Sequence, residues 1–404
     1  MTPSLAAVLH DVLGRERSRI VGALYRLCGG LDAAEEALQE ALVAALATWP
    51  TDGVPDNPAA WLTTAARRHA LDGRRRRGVA AAKAPMLMED PMAAEDALET
   101  IHDDQLRLIF TCCHPALPRD GQVALTLKVI LGFTIEELAR AFVCAETTMA
   151  QRIVRAKRTI EDKQLAYASP GWRELPGRTT AVLEVLYLIF NEGHTARTGA
   201  LARLDLQAEA LRLARLVSEL LPREPEASGL LALMAFGVAR AATRADAEGV
   251  LVRLEDQDRD RWDLARIEEG LFALRRARTL GGRGSYVLQA EIAACHTTAP
   301  TWAATDWDAI TRAYDELLAL GNSPVVALNR AVAISMREGA VAGLVELAPL
   351  AEILARYHLF YATRAELLRR LGRDPRPDYE RALALTQNAS EQAFLRRQIA
   401  SLDS

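Results

Sequence analysis

The chain has 404 residues, more than one ordinary core accommodates, so two or three domains are expected. Half of its residues are apolar and a quarter are charged, which excludes a disordered chain, and the abundance of Ala, Leu, Arg and Glu favours helix. A net charge of −4 excludes a generally basic nucleic-acid coat, so any DNA contact must come from local basic patches.

Asp11 and Arg15 break the first apolar run, so no signal peptide is expected. No uncharged apolar run reaches the roughly 18 residues that span a membrane, and none is expected to do so. Five cysteines, an odd number without framework spacing, read as reduced thiols of a cytoplasmic protein.

Residues 5–77 read as helical with two interruptions. Asp32 followed by Glu35 looks like a capping box. Ala34, Leu38, Ala41, Ala45 and Trp49 then recur at helical spacing and predict one buried stripe. Glu35, Glu36, Gln39 and Glu40 form an acidic ridge, by itself an ordinary solvated face. After a loop with three prolines, Asn57 is a good cap and Pro58 suits the first helical position. The next helix places Leu62, Ala65, Ala66 and His69 on one face, and Thr64, Arg67, Arg68, Leu71, Arg74 and Arg75 on another. Six arginines between positions 67 and 77, opposed only by Asp72, suit a phosphate-binding stripe, although a basic run by itself is usually a solvated face. Residues 79–97, rich in Ala, Met and Pro and acidic toward the end, read as a linker.

Asp120 to Leu131 is predicted to be a helix with Val123, Leu127 and Ile130 inward, ended by Gly132. Thr134 and Glu137 form a second capping box. A short helix to Phe142, a turn at Val143–Cys144–Ala145 and a longer helix with Met149, Ile153, Ala156 and Ile160 inward follow. The longer helix turns Thr148, Gln151, Arg152 and Arg155 outward, with Lys157 and Arg158 at their flank, in a helix-turn-helix pattern. Two prolines and two glycines at 166–178 mark a boundary, and from Thr179 the chain reads as helix after helix.

Three polar constellations remain. Cys112, Cys113 and His114 are adjacent, whereas structural zinc takes cysteines two to four residues apart, so packing is the better reading. Asp256, Asp258, Asp260 and Asp263 alternate with Arg259 and Arg261 but lack the glycine and terminal glutamate of a calcium loop, which leaves ion pairs. Asn191, Glu192, His194 and Arg197 sit at the end of an apolar helix, where capping is favoured over a ligand pocket. No phosphate loop, nucleophile elbow or HExxH is present, so no catalytic residue, metal or cofactor is expected.

Taken together, LDAAEEALQEALVAALATWP (31–50), NPAAWLTTAARRHALDGRRRR (57–77) and GFTIEELARAFVCAETTMAQRIVRAKRTI (132–160) resemble the sigma-70 family of RNA polymerase sigma factors, extracytoplasmic-function type. The resemblance implies an all-α chain: a region 2 helical bundle over 1–78, the linker 79–97 and a region 4 helix-turn-helix over 98–168. It implies that Glu35, Glu36, Gln39 and Glu40 bind core RNA polymerase. By the same resemblance Arg67, Arg68, Arg74 and Arg75 meet the −10 promoter element, and Thr148, Gln151, Arg152 and Arg155 the −35 element. The family's turn often carries Gly-Thr-Val where Thr147–Thr148–Met149 stands here, and the loop from Thr51 to Asn57 has no aromatic to stack a captured base.

The remaining chain, through YLIFNEGHTA (187–196), LEDQDRDRWD (254–263) and SPVVALNRAVAI (323–334), resembles a subgroup with a helical-hairpin, tetratricopeptide-like extension. That implies a regulatory C-terminal domain over 178–404, with a ligand or protein as its partner. The rival readings are a stand-alone helix-turn-helix regulator with a helical scaffold, and a metal-dependent enzyme centred on Cys112, Cys113 and His114.

Overall fold

A computed structural model of the chain describes residues 5–76, 104–142, 144–171, 173–194 and 201–403. The chain divides into two compact units, Met1–Leu188 and Ile189–Ser404. All regular structure among the described residues is helical, apart from an isolated bridge between Ala245 and Leu251.

In the first unit, α1 (Leu5–Cys28), α2 (Leu31–Asp52) and α3 (Pro58–Arg76) pack together. The stripe Ala34, Leu38, Ala41, Ala45 and Trp49 is buried, and Trp49 meets Trp61 edge-on at 5.3 Å. Asn57 caps α3 as expected: its Oδ1 accepts from Ala60 N at 3.0 Å. The expected box at Asp32 does not form. Helix α2 starts behind Gly30 with no side-chain cap, which leaves Asp32 in the first turn and Glu35 free to reach elsewhere.

A second helical module follows: α4 (residues 104–112), α5 (Arg119–Leu125), α6 (Ile135–Ala141) and α7 (Glu146–Asp162). The single helix expected over 120–131 is α-helical only to Leu125. Thr126–Leu131 widens into a π-helical turn, which ends at Gly132 in the left-handed conformation (φ 84°). Val123, Leu127 and Ile130 are nonetheless buried. The second capping box forms completely: Glu137 N donates to Thr134 Oγ1 at 3.1 Å, and Thr134 N donates to Glu137 Oε2 at 2.7 Å. Met149, Ile153, Ala156 and Ile160 are the buried face of α7, while Val143 of the turn lies outside the described residues. Helix α8 (Leu175–His194) carries the division between the units within its length.

The second unit is a row of helices, α9 (Leu201–Leu220), α10 (Pro225–Ala239), α11 (Leu264–Thr279), α12 (Ser285–Thr298), α13 (Trp307–Leu320), α14 (Pro324–Glu338), α15 (Ala340–Leu347), α16 (His358–Arg370), α17 (Arg376–Leu385) and α18 (Ala389–Ala400), each packed on the next. Its core advances with the chain. Phe236 and Leu274 lie at one end, then Leu288, Ile310 and Leu317, then Leu328 and Phe360, and finally Tyr379 and Leu395. Small residues permit close approach: a Cβ on Gly229 would meet Val287 N at 2.8 Å. The row closes on itself. Arg397 pairs with Asp246 at 2.6 Å, Arg253 with Glu366 at 3.6 Å, and Ser390 Oγ donates to the Gly249 carbonyl.

Candidate functional site

A buried polar seam joins the two modules of the first unit. Glu35 on α2 is 8 % exposed and has a cation on each oxygen: Arg17 Nη2 of α1 at 3.2 Å and Lys157 Nζ of α7 at 2.7 Å. Lys157 also pairs with Asp32. Arg17 Nε donates to the Val129 carbonyl at 3.1 Å, one of those left over where the π-helical turn ends. Burial lowers the Arg17 pKa against the pull of Glu35. For Lys157 burial also acts downward, but Glu35 and Asp32 outweigh it and hold the ammonium above its ordinary value.

Uncharged contacts extend the seam. Gln105 Nε2 donates to Ser18 Oγ at 2.6 Å. The Tyr167 hydroxyl is shared between the carbonyls of Asp104 (2.8 Å) and Gly22 (2.9 Å), and its ring stacks on Tyr25 at 4.0 Å. Gly22 is needed there, since a Cβ would come within 2.8 Å of the Asp104 carbonyl oxygen.

The outward faces carry the charges that could meet partners. Thr148, Gln151 and Arg155 are exposed on α7, and Arg155 touches Gln151 at 3.5 Å. Arg152, half-buried, pairs with Asp120 at 3.3 Å. Glu36, Gln39 and Glu40 are exposed on α2, and Arg67 and Arg68 on α3. Arg74 and Arg75 belong to α3, but their side chains lie outside the described residues.

Residues 13–79 match the family model for sigma-70 region 2, and residues 107–160 match that for sigma-70, region 4. The chain is also 42 % identical over 393 residues to an uncharacterized protein, R00370, of Rhizobium meliloti (strain 1021), covering 95 % of this chain and 93 % of that one. The chain belongs to the sigma-70 family.

It is an RNA polymerase sigma factor with the region 2 and region 4 pairing of the extracytoplasmic-function type, and a C-terminal extension follows. Within that extension, residues 178–278 match a family of unknown function, DUF6596. No solved structure matches the chain. Sigma factors of this family bind core RNA polymerase and promoter DNA and are DNA-binding regulators. A stand-alone helix-turn-helix regulator does not account for the region 2 match.

The remaining constellations make contacts within the fold where the described residues show them. Cys112 and Cys113 are fully buried; burial pushes the Cys112 thiol well up and that of Cys113 to about 11, and Cys113 Sγ meets Thr126 Oγ1 at 3.4 Å. His114 Nδ1 accepts from Ala116 N at 3.0 Å. Among the described residues no cluster could hold a metal ion, and no helix is long and apolar enough to cross a membrane. In 254–263, Asp258 and Asp263 cap the helical segments that follow them, and Arg253 pairs with Asp256 at 2.9 Å. Helix α8 ends at His194, so Asn191, Glu192 and His194 belong to its last turn; Arg197 lies outside the described residues.

Sequence reasoning missed the seam. Lys157 lies beside the DNA-facing side chains in helical spacing but turns to Asp32 and Glu35, and the partners of Arg17 are 18 and 112 positions away, beyond the reach of any local pattern.

Proposed function

We propose that Thr148, Gln151, Arg152 and Arg155 read the −35 element from α7, and that Arg67, Arg68, Arg74 and Arg75 hold the −10 region. Glu36, Gln39 and Glu40 are the acidic surface offered to core polymerase, and Glu35 joins it only when the seam with region 4 opens. The observation that carries this reading is the division of α7: Met149, Ile153, Ala156 and Ile160 anchor one face and leave Thr148, Gln151 and Arg155 in the open.

In this reading 1–78 is region 2, 79–97 the linker, 98–168 region 4 and 178–404 a domain that sets their activity in the cytoplasm. Two features support a separate role for the last: it forms most of its own compact unit, and its own family model begins at residue 178.

Run-off transcription with core polymerase tests the assignment. Gln151→Ala or Arg155→Ala should cost about 1–3 kcal/mol at the cognate −35 element and relax preference at one base. Substituting Arg67 and Arg68 should instead weaken all promoters alike and reduce the salt dependence. The same pattern from both sets would refute the division of labour. A chain ending at His194, the last residue of α8, should transcribe at a level several-fold different from the whole; equal levels would remove the regulatory role.

A further inference from the structure

The C-terminal unit holds two neighbouring arginines, Arg240 largely buried and Arg259 half-buried, that pair with no carboxylate among the described residues. Arg240 stands at the end of α10 with its Nε buried and without a hydrogen-bond partner among the described residues. Burial, then the neighbouring Arg244 and Arg259 guanidiniums, pull its pKa down to about 10. Arg259 lies 4.5 Å over the Trp262 ring and donates Nη1 to the carbonyls of His296 (2.7 Å) and Ala299 (2.9 Å). Its Nη2 is buried and finds no partner among the described residues.

His296, near the end of α12, feels both Arg240 and Arg259. Its ring stacks on Trp302 at 5.9 Å and meets Trp307 edge-on at 5.4 Å, while Nδ1 is buried and unpartnered. The hydroxyl of Thr305, between those two tryptophans in the chain, is likewise buried and unpartnered.

Buried polar groups are rarely left unpaired, and an unpaired buried guanidinium is among the costliest. Two other arginines of this unit do have carboxylates: Arg364 has Asp378 at 2.8 Å and Arg215 has Glu269 at 2.9 Å. At Arg240 and Arg259 like charges converge instead, and Arg259 and His296 lie against indole rings, each with a buried nitrogen that has no partner among the described residues. The guanidinium fork matches the oxygens of phosphate and carboxylate, and an oxyanion would give Arg240 Nε and Arg259 Nη2 the acceptor they lack.

We propose that Arg240, Arg259, His296 and Thr305 form a binding site in the C-terminal domain for a small oxyanion, the phosphate or carboxylate of a soluble metabolite. The site does not depend on how regions 2 and 4 meet DNA.

Thermal unfolding of the full chain, with calorimetric titration, tests the site with inorganic phosphate, pyrophosphate and citrate against sodium chloride at matched ionic strength. A saturable rise in Tm with one of these oxyanions and none with chloride is expected. Response to phosphate or pyrophosphate identifies a phosphate site, and response to citrate alone a carboxylate site. Arg240→Met should keep the chloride Tm, because it removes a cation without a partner, and should lose the oxyanion response. Arg259→Lys should weaken affinity at least tenfold, while Arg283→Met, at an exposed arginine paired with Glu316, should respond as the parent does. Equal effects of all salts, or an undiminished response of Arg240→Met, would overturn the proposal. So would an Arg240→Met chain that unfolds in chloride, for that would reveal a counter-ion within the protein itself.

Discussion

Arg17 and Arg240 are both largely buried, and their surroundings contrast the two units. Arg17 is enclosed by a carboxylate and a carbonyl, and Glu35 shares that enclosure with Lys157. Arg240 has the Arg244 and Arg259 guanidiniums as its charged neighbours. A buried cation with its partners supplied by the chain fixes one helix against another. A buried cation without them is expensive to the fold alone and becomes favourable only when something outside the chain completes it. Glu35 and its two cations therefore use buried charge to hold region 2 to region 4, whereas the Arg240 cluster of the second unit keeps it in reserve.

The contrast is broken most strongly at Glu35. Glu35→Ala leaves Arg17 without a carboxylate and Lys157 with Asp32 alone, and should destabilise the first unit by about 3–5 kcal/mol in urea unfolding of the full chain. A loss below about 1 kcal/mol would make the seam equivalent to a surface ion pair and erase its difference from the Arg240 cluster.

Acid should sharpen the comparison next. Burial, with Arg240 and Arg259 alongside, depresses the His296 pKa to about 4 in the folded chain, against an ordinary value of 6.5. Below pH about 6.5 the unfolded chain takes up a proton that the folded one refuses, so this contribution to stability falls with pH until about pH 4 and then levels. His296→Gln should flatten that part of the stability–pH curve. An unchanged curve would place the acid sensitivity in other groups.

Gly22→Ala comes third. Its methyl would press on the Asp104 carbonyl at 2.8 Å and should cost about 1–3 kcal/mol, read as a lower midpoint of unfolding. Thr134→Ala should cost about 1 kcal/mol by removing one half of the capping box on α6, measured in the same way. Smallest is the half-exposed pair Arg212–Glu209 on α9. A double-mutant cycle there should show no more than about 0.5 kcal/mol, the scale against which the seam stands out.

How much of this was legible depends on how far each interaction reaches along the chain. The stripe from Ala34 to Trp49, the Asn57 cap and the inward face of α7 follow from spacings of three and four residues, and the structure has them. The box at Thr134 and Glu137 follows from the same spacing, yet the matching pair Asp32 and Glu35 makes no box. Residue type and separation are the same in kind. The difference is that Glu35 has two buried cations from other helices, and charge-assisted contacts of that sort outweigh a cap on its own backbone.

The sequence by itself determined the helical class, the two promoter-reading modules and the family, because helical periodicity, caps and contiguous motifs are local and survive being read one residue after another. Only the tertiary structure decided which acidic side chain of α2 faces inward, that Lys157 leaves the outer face of its helix, and that Arg240, Arg259 and His296 gather with no carboxylate paired to the arginines among the described residues. Those outcomes depend on segments tens to more than a hundred residues apart meeting in space. Whether a charge is paired, and so whether it stabilises the fold or awaits a ligand, is set by what surrounds it once water has been excluded.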